Sequence, residues 1–79
     1  MPEAPVASIV DARGLSCPMP IVKAAQWIKS VTSGELMELL ATDAGSVKDV
    51  QAWCRSTGNE LVEQHTDDQG VFHFVIRRS

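Results

Sequence analysis

The chain is predicted to be an α+β protein, a two-layer α/β sandwich of order βαβαββ with a mixed four-stranded sheet and two helices on one face. Three observations carry this prediction. Short runs rich in β-branched and aromatic residues alternate with two segments whose apolar residues recur at three- and four-residue steps. Glycines and a polar tetrapeptide punctuate the runs where turns are needed. With so few strands, one helical layer on one sheet buries both apolar faces most economically.

Ala7 to Asp11 reads as the first strand, ended by Arg13-Gly14. From Pro18 to Val31, the residues Ile21, Ala24, Ala25, Ile28 and Val31 form one stripe of an amphipathic helix, with Lys23, Gln26 and Lys29 on other faces. Gly34 suits the left-handed position just past the end of that helix. Leu36 to Thr42 is nearly continuous in apolar residues and has the length of a central strand. Ser46 and Asp49 have the spacing of a capping box, and Val47, Val50 and Cys54 share the stripe of a second helix that stops at Gly58. Leu61 to Thr66 and Val71 to Arg77 are strands flanking Asp67-Asp68-Gln69-Gly70, a hairpin turn in composition.

A chain of 79 residues is expected to form one domain over residues 1–79, with a modest core. Apolar residues at 44% and charged residues at 22% are the balance of a globular protein. No apolar stretch approaches the length needed to cross a bilayer, and Met1 to Ser8 lacks the basic and apolar regions of a signal peptide, so a cytoplasmic location and no membrane partner are expected. The net charge of −3 provides no basic field for direct nucleic-acid binding. The charge is uneven: Arg13, Lys23 and Lys29 outnumber Glu3 and Asp11 before residue 35, and the acids predominate after it.

The chemistry is concentrated at Gly14-Leu15-Ser16-Cys17-Pro18-Met19-Pro20. Proline is favoured at the first helical position, which makes Cys17 the expected N-cap and Pro18 the first helical residue. Pro20 still lies in the first turn, where no intrahelical donor is lost, so the two prolines stiffen the helix start without breaking it. A thiol there faces the positive end of the helix dipole and unpaired N–H groups, which favours its thiolate and predicts a modestly lowered pKa. A persulfide would need the same setting: stabilised charge on sulfur, exposure, and a stiff backbone presenting it. On this reading Cys17 is the catalytic residue, Gly14, Pro18, Met19 and Pro20 shape the site, and Arg13 and Lys23 are candidates for partner docking.

The stretch Asp11-Ala12-Arg13-Gly14-Leu15-Ser16-Cys17-Pro18-Met19-Pro20 resembles the D-x-x-G-L-x-C-P-x-P signature of the TusA (SirA/YedF-like) sulfur-carrier family. The resemblance runs from about Ile9 to Arg78 and takes in Thr42-Asp43, Gly45-Ser46, Asp49 and Gly58-Asn59-Glu60-Leu61; Ala44 departs from it, where many members have proline. It implies a βαβαββ sandwich and a sulfurtransferase that carries a persulfide on Cys17, with no cofactor other than that covalent sulfur. It further implies a sulfur-donor protein of rhodanese or cysteine desulfurase type and an acceptor of DsrE/TusD type. Members serve transfer RNA thiolation, molybdenum cofactor assembly or sulfur oxidation, and Ala41–Asp49 and Phe72–Ile76 look most like the last branch.

Other residues have plainer readings. Cys54 lies on the apolar stripe of the second helix and is assigned to core packing. His65 and His73 could approach each other across the hairpin, but without a third ligand at useful spacing no metal site is expected. Asp43 and Asp49 read as the end of the central strand and as a cap, either able to orient the Cys17 loop. Trp27 and Trp53 read as core or edge packing, since no basic cluster accompanies them. Two rival functions remain: a non-catalytic regulatory or interaction module, which would not need the cysteine, and a thiol oxidoreductase, which would want a resolving cysteine close by in sequence.

Overall fold

A computed structural model describes residues 6–79, so the segment examined above for a targeting signal lies largely outside the described residues. The elements follow the expected order: β1 (Val6–Ala12), α1 (Met19–Ile28), β2 (Leu36–Ala41), α2 (Ser46–Thr57), β3 (Glu60–Thr66) and β4 (Phe72–Arg77). The sheet runs β1-β2-β4-β3, with β1 and β2 parallel and the other neighbouring pairs antiparallel. It is therefore mixed, and the one parallel pair is the pair joined through α1.

Strand pleating sorts the side chains of β2 onto two faces. Met37, Leu39 and Ala41 are fully buried and pack with Ala24 and Trp27 of α1, Val50 and Cys54 of α2, and Phe74 and Ile76 of β4. Leu39 lies opposite Phe74 and Met37 opposite Ile76, so the central antiparallel pair forms the floor of the core. Both helices cover this floor, and Trp27, 7% exposed, closes it toward β1 by donating its indole N–H to Ser8. Truncating Phe74, among the largest fully buried side chains, to Ala would cost roughly 3–5 kcal/mol.

The end of the first helix differs from the sequence reading. The first helix ends at Ile28 rather than Val31, and Gly34 is not its cap. Its last turn is closed by Ser30, whose N–H and hydroxyl both donate to the Trp27 carbonyl, at 2.9 and 2.8 Å. Val31 keeps its packing against the core from outside the helix, which is why the apolar stripe overran the helical segment. Gly34, at φ +89°, instead turns the chain into β2, and its N–H donates to the Arg78 carbonyl. Gly58 ends α2 as expected, in the left-handed conformation with its N–H on the Cys54 carbonyl at 2.9 Å.

Among the described residues no helix covers the other face of the sheet, and Ile9 is 64% exposed on it. Here His65 and His73, opposed across the hairpin, stack with ring centroids 4.5 Å apart. His73 Nδ1 lies 2.7 Å from Glu38 and Nε2 lies 2.8 Å from Asp67. Only an imidazolium donates from both nitrogens. The two carboxylates accordingly raise the pKa of His73, Asp67 acting most strongly, and the same contact holds Asp67 down at about 2.

The raised His73 contributes stability below its unfolded-state value, and that contribution is lost as pH rises through the folded-state value; Asp67 contributes above its unfolded value and loses this as pH falls toward about 2. Because both groups are partly exposed, the effect is small. Thermal melts between about pH 6 and 9 should show wild-type stability declining modestly as His73 discharges, and His73→Gln should flatten that decline.

Candidate functional site

Because β1 and β2 are parallel neighbours, with Ala12 opposite Ala41, the loops that follow them leave the sheet at the same edge. The first loop carries Cys17 into α1, and the second carries Asp43 and Gly45 into α2. A hydrogen bond ties them together, from the Gly14 N–H to Thr42 Oγ1 at 2.9 Å. Gly14 itself turns at φ +79°, a left-handed conformation that favours glycine.

Cys17 is exposed, but it is not the helix cap. Pro18 takes that position at φ −98°, and its carbonyl accepts from the N–H groups of Ile21 and Val22 at 3.0 and 3.1 Å. Met19 and Pro20 are then the first two helical residues, and Pro20 is buried as the anchor of the helix start. Cys17 sits one residue earlier, in a turn closed by the Met19 N–H on the Ser16 carbonyl at 2.8 Å. Met19, 43% exposed, presents its side chain to solvent two residues from the thiol.

The partner of the Cys17 thiol comes from α2. Its Sγ–H donates to Asp49 Oδ2, across 32 residues of sequence. The expected capping box at this helix start is absent: Gly45 is the N-cap and makes no side-chain capping bond, and the Ser46 hydroxyl donates back to the Asp43 carbonyl. The Asp49 side chain is thereby left to face Cys17, while Asp43 accepts the Gly45 N–H at 3.1 Å.

This arrangement reverses the expected electrostatics. The thiol pKa is raised, first by the hydrogen bond to Asp49, then by partial desolvation and by the negative charges of Asp49 and Asp43. Unpaired N–H groups at the helix start favour a thiolate, but tertiary folding brings two carboxylates within reach of the sulfur, and their effect prevails. Arg13 offers no compensation, because its guanidinium makes a two-point contact with Asp11, Nε to Oδ1 at 2.9 Å and Nη2 to Oδ2 at 2.8 Å. That contact holds Asp11 at about 2. Lys23 lies further along α1, partly buried.

Cys54 is buried on α2 at 5% exposure, and burial raises its thiol pKa. Trp27 is in the core and Trp53 packs against it half-buried. Gly45 is the residue whose role the sequence did not reveal. A Cβ there would stand 3.1 Å from Asp43 Oδ2, close enough that the carboxylate must shift, and 3.9 Å from the Cys17 Cβ, an ordinary contact between the two loops. Its φ of −71° is one any residue adopts, so the tight contact with Asp43, and not backbone freedom, sets its constraint.

Gly45→Ala should therefore fold with a loss of about 1 kcal/mol, from the poorer N-cap and the tight contact with Asp43. Denaturant melts measure that loss.

Comparison with known proteins agrees with this architecture. The sequence model of the family described as "Sulfurtransferase TusA" matches residues 8–78. The chain is 46% identical over 70 residues to a protein of Allochromatium vinosum named "Sulfur carrier protein TusA", covering 89% of this chain and 91% of that one. It is 35% identical over 71 residues to a protein of the same name from Pseudomonas putida, covering 90% and 88%. A crystal structure of a SirA-like protein from Desulfitobacterium hafniense superposes with a TM-score of 0.80 at 24% identity, covering 89% of this chain and 95% of that one, and so shares its fold. With a family match over almost every described residue and relatives of matching length, the chain belongs to the TusA sulfurtransferase family.

Proposed function

We propose that this protein is a sulfur carrier that holds a persulfide on Cys17 and relays the outer sulfur from a donor protein to an acceptor protein. The observation that carries this reading is the contrast between the two thiols. Cys17 is exposed on a loop stiffened by prolines, and Cys54 is sealed in the core. The names of the relatives support the same role.

In the loading step, Cys17 Sγ attacks the outer sulfur of a donor persulfide. A new S–S bond forms at Sγ, the donor's S–S bond breaks, and its electron pair leaves on the donor's inner sulfur, which takes up the proton lost by Cys17. The donor becomes a thiol and Cys17 a persulfide, with no net oxidation. Delivery repeats this exchange with the acceptor thiol as nucleophile and Cys17 as leaving group. The protein is thus a reagent that must be reloaded, with the covalent sulfur as cargo and no resident cofactor. Its donor is of rhodanese or cysteine desulfurase type, its acceptor of DsrE/TusD type, and its compartment the cytoplasm. No described helix is long and apolar enough to cross a membrane.

Incubated with a sulfane-sulfur donor, the wild type and Cys54→Ser should each gain sulfur by intact mass, and Cys17→Ser should gain none. Loading that survives Cys17→Ser would overturn the assignment.

Docking is proposed to involve Arg13 and Lys23, which belong to the loop and helix that carry Cys17. Charge reversal at both should slow transfer to the protein acceptor, with the loss shrinking as salt rises, because charges around a docking surface act mainly on association rate. Reversal of Arg55, exposed in the last turn of α2, serves as the control. Stopped-flow transfer rates at two salt concentrations measure the difference.

A further inference from the structure

The contact between Cys17 and Asp49 has consequences beyond carriage of sulfur as such. A thiol sulfur and a carboxylate oxygen at hydrogen-bonding distance require a proton between them, since two anions so close would repel strongly. The contact can exist only while Cys17 is a neutral thiol. It also spans the two loops, so the direction of Sγ depends on α2 as well as on its own backbone.

We infer that Asp49 is a positioning residue that gates Cys17: its carboxylate holds the unloaded sulfur uncharged and turned toward α2, and attack on a donor requires that contact to open. The inference rests on the carrier reading and adds to it a reason why an exposed thiol is not consumed by every small oxidant or electrophile it meets. The thiolate is the reactive form, so a group that keeps sulfur protonated slows all such reactions together. Negative charge beside the sulfur further discourages anionic reagents. A docking partner that draws Asp49 away, or neutralises it, releases the thiol where the sulfur is to be transferred.

The other charges near the site favour this reading. Asp43, on the loop after β2, adds to the negative field at Cys17. Arg13, on the thiol's own loop, is engaged by Asp11. Lys23 on α1 is partly buried, and Lys48 on α2 is exposed next to Asp49 in sequence. The first groups to act on the sulfur are thus both acidic.

The experiment uses alkylation of the full-length chain, with Cys54→Ser as background, and needs no sulfur donor. Rates with neutral iodoacetamide and anionic iodoacetate are measured across pH for Asp49, Asp49→Asn and Asp49→Glu. With Asp49 present, the iodoacetamide profile should have its midpoint above the ordinary thiol value of about 8.5. Asp49→Asn should react about three- to tenfold faster at neutral pH with its profile displaced to lower pH, and should gain more with iodoacetate than with iodoacetamide. Asp49→Glu should stay near the parent, because it restores the charge. The inference is overturned if the Asp49 protein itself titrates at or below the ordinary value, or if Asp49→Asn reacts no faster than its parent. Neither result bears on whether Cys17 carries sulfur, which the donor-loading comparison with Cys17→Ser decides separately.

Discussion

Parallel pairing of β1 with β2 is the constraint on which the site depends. Two parallel neighbours release their following loops at the same sheet edge, and here that edge brings the Cys17 loop against the start of α2. What is distinctive about the thiol follows from this adjacency: the strap from Gly14 to Thr42 and the hydrogen bond to Asp49. A connection that placed β2 elsewhere in the sheet would leave Cys17 on an otherwise identical helix start without any of these partners.

The electrostatic character of the site is set by competition between two fields. The start of α1 offers a favourable dipole, but Pro18 and Pro20 remove N–H groups, and Cys17 lies before the cap instead of on it. The opposing field comes from ionised side chains at close range, and a full charge in contact outweighs the partial charge of a helix end. The result is a sulfur that is accessible to partners but biased toward its protonated form. For a carrier that must survive between donor and acceptor, accessibility with restrained reactivity is a coherent combination.

The two faces of the sheet divide the work. The helical layer covers one face and supplies the core, anchored by Phe74 and the side chains around it. The open face is held by polar cross-strand contacts, chiefly the imidazolium of His73 between Glu38 and Asp67. Arg77 and Glu60 add a further ion pair at 2.9 Å where β3 and β4 meet. These contacts link β2, β4 and the hairpin turn without requiring a second layer of helices.

The order of elements, the residues of the core stripes and the proline-stiffened turn from Cys17 into α1 are legible in the sequence alone, because these are written in local periodicity and in the conformational preferences of proline and glycine. The stripe Ile21, Ala24, Ala25 and Ile28, the apolar run from Leu36, and the stop at Gly58 were legible for this reason. Periodicity does not register where a helix unwinds while its stripe continues to pack, so the pattern carries the first helix past Ile28 to Val31 and sets its cap at Gly34. The state of the thiol was decided only by tertiary structure. Asp49 lies 32 residues from Cys17 and reads as a cap from its own neighbours, yet its carboxylate accepts from the thiol, and Arg13, on the thiol's own loop, is paired with Asp11. Charge interactions depend on distance in space, and the distances that matter here are created by the pairing of β1 with β2.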